Sequence, residues 1–339
     1  MWHIYNNFDK IVHTNNMKKI LIIILIISTL LIVPKKYVFA NDSITYLSFN
    51  KLLAYPQIAL DTKNKNAEDN DENHLTPDEF VKTLESLYQK NYVLVSSEGK
   101  LKDLNKKPLV IFFHNLNYTS STKSNGFIDK LIIDKSGNIA TYTSKRSINE
   151  RIRTDNECIP LLEEFISTHP LFSQDGARAT IVLNNSDGIF GYKTAKTNAT
   201  SKYDIKNAIA IANKPKKLGY KFACEDFEID QNLNELNFTS ELNTWINHTS
   251  KICGETNLYI KNNEKIDDFK LNLLKNNGFT KIFDNKNTII VSGKTLREDM
   301  TLHNILDCEN IYNHEIRKKL YYTVIKKDNA NALSWIFSW

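Results

Sequence analysis

Glycine, proline and cysteine are scarce in this chain, at 10, 7 and 4 residues among 339. So few glycines and prolines exclude a collagen-like repeat and a Gly/Pro-rich low-complexity chain. Four cysteines over this length exclude a disulfide scaffold. There is no C-x-x-C pair, no H-x-x-H or H-E-x-x-H spacing, no G-x-S-x-G elbow, no Walker loop and no G-x-G-x-x-G run. These absences argue against a histidine-pair zinc motif, an elbow-type serine hydrolase, a P-loop enzyme and a dinucleotide-binding enzyme. Arginine is rare too: six of the 44 basic residues are Arg and 38 are Lys. With 41 Asn, this composition reads as an AT-rich coding bias, which lowers the weight of any single Lys or Asn. What is present is apolar material. Hydrophobic residues make up 41% and aromatics 11%, enough for a core, so the chain is not wholly disordered.

The net charge of +5 suggests at first a nucleic-acid or anionic-surface partner. Its location removes that reading. Residues 1–40 hold five Lys and one Asp, which leaves 39 basic and 38 acidic residues in 41–339. The basic segment has the form of an export signal. Met17-Lys18-Lys19 precedes a 14-residue run, Ile20 to Val33, that is apolar apart from Ser28 and Thr29. That run is short for a membrane-spanning helix. Pro34 ends it, and Val38-Phe39-Ala40 supplies a small-residue cleavage site. The expectation is a secretory signal peptide starting at Met17, with 1–16 an upstream extension. Lys35 and Lys36 depart from the pattern, and an uncleaved anchor or a core helix is the alternative. The expected location is secreted or cell-surface, with membrane contact only through an uncleaved leader and no nucleic-acid partner.

Beyond residue 40, helical and strand signals alternate. Thr76-Pro77-Asp78-Glu79 is a capping box with Pro at the first helical position, followed by Phe80, Val81, Leu84 and Leu87. Strands are expected at 43–53, 92–95, 109–113, 179–183, 220–224, 258–260 and 288–292, and helices at 160–166, 203–213, 233–249 and 269–277. Pro215 is expected to end the helix at 203–213, and 61–74 reads as a solvated polar loop. Lys135-Ser136-Gly137-Asn138 between apolar runs marks a β-hairpin over 131–143. The alternation predicts an α/β domain over 41–339 with a largely parallel, nearly closed sheet. In such folds chemistry sits at the C-terminal strand ends. That singles out His114-Asn115 and Glu225-Asp226.

The stretch Lys107-Pro-Leu-Val-Ile-Phe-Phe-His-Asn-Leu-Asn-Tyr118 resembles the first motif of the polysaccharide deacetylases, the NodB-homology carbohydrate esterases. It is closest in form to a secreted Firmicutes-type branch with Phe-Asp-Asp-x-Asn-Tyr there. Segments 76–95, 169–173, 176–180, 188–194 and 218–223 resemble that branch in order and spacing, as do Trp245, Gly254, Asp307 and Arg317. The likeness runs over roughly 45–320. It implies a distorted (β/α) barrel with an inserted hairpin and metal-assisted de-N-acetylation of a glycan. In that mechanism one Asp is the base, and a second Asp and two His hold a divalent metal, usually zinc.

The chain departs from this pattern at the site. The base position is His114 and the metal-binding Asp position is Asn115. Glu225 replaces the first ligand His and Ile229 the second. The third motif reads Lys261-Asn262-Asn263 without its Pro, and an early Phe-His reads Phe49-Asn50. Ile229 cannot ligate, so a pseudoenzyme without a cofactor is expected. Zinc enters only if His114, Asn115 and Glu225 form a remodelled site. Asn117, Tyr118 and Asp226 are the expected glycan contacts, with Tyr118 as a stacking platform, and the expected partner is a cell-envelope glycan. Tyr192 is a further aromatic candidate, whereas Trp245, on a helical stripe, is expected in the core. Two alternatives stand beside this reading: an active de-N-acetylase with remodelled ligands, and a surface scaffold binding another envelope protein. For Cys158, Cys224, Cys253 and Cys308, one disulfide and buried free thiols both remain open.

Overall fold

The computed structural model describes residues 44–97, 105–119, 122–184, 188–194, 201–225, 235–262, 266–313 and 317. The expected leader, Asp226 and Ile229 lie outside the described residues. The described residues form one compact unit.

The centre of the fold is β3 (Lys107–His114), whose residues after Lys107 are all buried. Its apolar run has no polar face because both faces are covered, as a strand inside a parallel sheet requires. In chain order, β1 (Thr45–Asn50) precedes α1 (Ala67–Asn73), α2 (Pro77–Gln89) and β2 (Tyr92–Leu94). Beyond β3 come β4 (Lys130–Ile133), β5 (Ile139–Tyr142) and β6 (Ile152–Arg153), then α3 (Cys158–Thr168) and β7 (Thr180–Leu183). Next are β8 (Gly188–Ile189), β9 (Tyr192–Lys193), α4 (Ser201–Leu218), β10 (Lys221–Glu225) and α5 (Glu235–Thr244). A π turn (Trp245–Thr249) prolongs α5. The order closes with β11 (Leu258–Lys261), α6 (Asp268–Asn276), β12 (Lys281–Asp284) and β13 (Ile289–Val291), then α7 (Gly293–Glu298), α8 (Met300–Ile305) and α9 (Cys308–Ile311).

The main sheet runs β12-β11-β10-β7-β3-β1-β13, with β2 added on β3. Every pairing in it is parallel. It curls into a half-barrel. Among the described residues it is not closed by hydrogen bonds, because β12 and β13 stand at opposite ends of the path. The hairpin expected over 131–143 is β4 and β5, and β6 extends it to a separate three-stranded sheet.

Alternation along the strands sorts the core into two faces. Leu109, Ile111 and Phe113 of β3 face the helices, together with Leu47, Phe49, Ile181, Phe222 and Tyr259. Val110 and Phe112 face the concave side with Val182, Ala223, Leu258 and Ile260. Tyr46, Phe112 and Phe283 meet ring against ring across that hollow. Each buried Phe of this kind is worth about 1.5–3 kcal/mol of transfer free energy. The half-barrel is thus plugged by side chains below its strand ends.

Several expectations need correction. The polar stretch 61–74 is not a solvated loop throughout: 67–73 is helix α1, with Asn70 and Asp71 buried. Asn70 Nδ2 donates to Ala59 O at 2.9 Å, and Asp71 pairs with Arg297 and Arg317. Pro215 does not end its helix, which continues to Leu218 before Gly219, with φ +106°, turns the chain. Strand β12 and the three short helices after β13 carry signals too brief for the sequence to separate from loop. All four cysteines are buried free thiols.

Candidate functional site

One pleat beyond the apolar plug, the concave face turns polar. His114 follows Phe112 by two residues, Asn184 follows Val182, Glu225 follows Ala223, Asn262 follows Ile260 and Asn285 follows Phe283. Asn50 lies at the same height, paired in register with His114 across β1 and β3. Since side chains two apart on a strand share a face, these residues form one layer at the C-terminal ends of the parallel strands.

Hydrogen bonds connect this layer. His114 Nδ1 lies 3.0 Å from Glu225 Oε1, and both residues are buried, at 5% and 8% exposure. Asn262 Nδ2 donates to Glu225 Oε1 at 3.3 Å, and Asn184 Nδ2 to Oε2 at 3.5 Å. Asn285 Nδ2 donates to Asn262 Oδ1 at 2.8 Å. On the other flank Asn115 Nδ2 donates to Asn50 Oδ1 at 3.0 Å. Burial pushes the Glu225 carboxyl upward, but His114, Asn262 and Asn184 outweigh that and hold it below its ordinary value. Ionised, Glu225 only accepts, so His114 Nδ1 carries the proton in their bond. The Nε2 of His114 is buried without a hydrogen-bond partner among the described residues.

The loop after β3 is held in an uncommon conformation. Asn115 has φ +58° and Tyr118 φ +45°. Asn tolerates the left-handed region, whereas a bulky residue there is a genuine outlier. The β8–β9 hairpin fastens this loop. Its two-residue turn, Phe190-Gly191, has positive φ at both positions, as a type I′ turn requires. Phe190 N donates to Leu116 O and Gly191 N to Asn117 O, each at 2.9 Å.

Tyr118 does not present a stacking face. Its ring is at 2% exposure, inside the helix-side core. Burial, with the Glu157 carboxyl beside it, pushes its phenol well up. Glu157 is itself fully buried at the start of α3, accepting from Cys158 N at 2.8 Å and Leu52 N at 3.2 Å. Burial raises its own carboxyl despite those bonds. Tyr192 is also buried, its hydroxyl donating to Leu131 O. Trp245 is in the core, its Nε1 donating to Leu183 O. The structure therefore brings His114, Asn115 and Glu225 together, leaves Asn117 partly buried at the loop, and takes Tyr118 away from the mouth.

No family model, curated protein or solved structure matches this chain. The likeness to the polysaccharide deacetylases therefore rests on its own residues.

Those residues do not fit zinc. Glu225 already accepts from three donors, and using it as a ligand would strip His114, Asn184 and Asn262 of their acceptor. The amide nitrogen of Asn115 is turned to Asn50, and a carboxamide is a weak ligand. Among the described residues no three His, Cys, Asp or Glu side chains stand together as a metal site requires.

Asn50 and Asn262 stood out only as departures from motifs, and Asn184 and Asn285 are members of the layer that the sequence did not single out. The available signal was positional: each lies just past a strand, in the parity of His114 or Glu225. The abundance of Asn masked it. A separate cavity of about 780 Å³ opens at the opposite ends of β10 and β11, lined by Lys216, Lys221, Trp245, Lys251 and Phe279 among others. It shares no residue with the polar layer.

Proposed function

We propose that this chain is a deacetylase-like barrel that binds a cell-envelope glycan without hydrolysing it. The observation that carries this is the engagement of Glu225 by His114, Asn184 and Asn262. A carboxylate so committed is a structural centre for a hydrogen-bonding surface. It is a poor metal ligand and a poor acid or base. Carboxamides and imidazole around one buried carboxylate suit hydroxyl-rich ligands, which need many directional, neutral hydrogen bonds. The plugged half-barrel beneath supplies the rigid platform such a surface needs. The export signal expected from the sequence and the deacetylase resemblance support the choice of ligand class.

The test is the metal content of the purified protein by mass spectrometry, with and without added zinc, alongside acetate release from N-acetylated chitooligosaccharides. The expected result is zinc well below one equivalent and no acetate above the uncatalysed control. Stoichiometric zinc with turnover overturns the reading. The second reading, an active de-N-acetylase with remodelled ligands, is favoured by one observation: His114 and Glu225 do converge, at 3.0 Å. The same measurement separates the two.

A further inference from the structure

The cavity of about 780 Å³ at the starts of β10 and β11 has the size of sites that hold small molecules. Its base is apolar. Phe222, Trp245 and Phe279 are buried there, and the half-buried Ile246 continues the wall outward. The Trp245 and Phe279 rings meet with centroids 6.1 Å apart. Trp245 Nε1 is already bonded to Leu183 O, so the indole offers the cavity no donor. The mouth is cationic. Lys216 comes from the last turn of α4, Lys221 from the first residue of β10 and Lys251 from the helical turn Ser250–Cys253, against one acid, Glu255. Lys216 and Lys251 are exposed, and neither ammonium has a hydrogen bond or ion pair among the described residues. Lys216 Nζ lies over Gly254, where a Cβ would stand 3.4 Å from it. The hydroxyls of Ser250 and Thr256 donate to Ile246 O and Phe222 O, so their protons are spent inside the fold.

We propose that this cavity binds an amphipathic organic anion, its apolar body seated against Ile246 and the aromatic base and its acidic group held by Lys216 and Lys251. The site is separate from the polar layer and does not depend on the glycan reading. Three lysines against one glutamate repel a cationic ligand and favour an anionic one. The aliphatic lysine stems extend the apolar wall while their heads stay at the mouth. An ammonium is a point charge without the fork geometry of a guanidinium, so the ligand class is set by charge and takes in carboxylates, sulfonates and phosphates alike. Lysines at the C-terminal ends of helices also complement the helix dipole. That use needs no ligand, and it predicts a loss of stability alone when they are replaced.

The test is titration of the full protein with two fluorescent probes: anilinonaphthalene sulfonate, and phenylnaphthylamine, which has the same rings without the sulfonate. The expected result is one saturable site for the sulfonate, with affinity about tenfold above that of the neutral probe, the equivalent of one charged hydrogen bond. The sulfonate is also expected to raise the thermal midpoint, as a ligand of the folded state does. In the double variant Lys216→Gln, Lys251→Gln its affinity is expected to fall to that of the neutral probe, and Lys216→Arg with Lys251→Arg is expected to restore it. Trp245→Phe is expected to remove most of the energy transfer from tryptophan to the bound probe, which locates it in this cavity. The wild-type comparison of the two probes decides the point even if a variant does not fold. Equal affinity for both probes overturns the proposal, as does absence of a saturable site or a lowered thermal midpoint. Glutamine variants that lose stability yet bind the sulfonate as the wild type does show that the lysines serve the helix ends alone, and overturn it as well. Energy transfer unchanged in Trp245→Phe places the probe elsewhere and has the same consequence.

Discussion

The Glu225 carboxylate is where the chemistry of the layer concentrates. Its value is held below that of an ordinary carboxyl by its three donors, against the upward pull of burial. A carboxyl whose folded value is depressed contributes stability that is present above its unfolded value and lost as pH falls through the folded one. The unfolded value is about 4.5. Acidification below that point is therefore expected to cost the wild type more than Glu225→Gln, which has no proton to take up there. Thermal midpoints of both proteins, compared at neutral pH and below the carboxyl range, check this. Equal losses in the two would show that the donors do not favour the charged form. Glu157 has the opposite sign: burial raises it, so its contribution falls as pH rises through its folded value.

Between residue and fold, the β8–β9 hairpin holds the β3 exit loop. Gly191 has φ +86°, and a Cβ there would run into the carbonyl oxygen of Asp129. Gly191→Ala is expected to destabilise the protein by about 1–3 kcal/mol, the usual range for a strained backbone position. It is also expected to loosen the loop that carries Asn115, read as faster amide exchange over 115–118. Elements of this kind were legible in the sequence to different degrees. The run of β3, the capping box at Thr76 and the 131–143 hairpin each announce themselves within a dozen residues, and all three are present. Helix α1 does not, because its burial depends on Arg297 and Arg317, more than two hundred residues downstream. His114 and Glu225 were legible as strand-end residues of an α/β fold. Their direct contact was not, since it follows from the curl of the sheet across 111 residues of sequence. Tyr118 was misread as a platform for a similar reason. Its place beside the strand end was visible, but its positive φ, which sends the ring into the core, was not.

At the scale of the whole molecule, Arg317 ties the end of the described chain to its beginning. Its guanidinium is fully buried. Nε and Nη2 donate to the two oxygens of Glu79 at 2.8 Å each, and Nη1 donates to Asp71 O at 2.6 Å. Glu79 serves the α2 capping box as well, accepting from Thr76 N at 2.9 Å. Burial works to raise the Glu79 carboxyl, and Arg317 with its neighbours brings it below the ordinary range. Removing the cation leaves the buried Glu79 carboxyl without its counter-charge and Asp71 with Arg297 alone. Arg317→Ala is expected to cost about 3–5 kcal/mol in denaturant unfolding, in line with other broken buried pairs. A loss within the range of an exposed pair, below about 1 kcal/mol, would show that the clamp is not formed in solution.

The glycan binding proposed for the polar layer needs no metal. Calorimetric titration of an N-acetylated chitooligosaccharide into the purified protein, in the presence of a chelator, tests it most directly. The expected result is saturable one-site binding that neither the chelator nor added zinc changes. Binding that appears only when zinc is restored, or no binding in either condition, would contradict it.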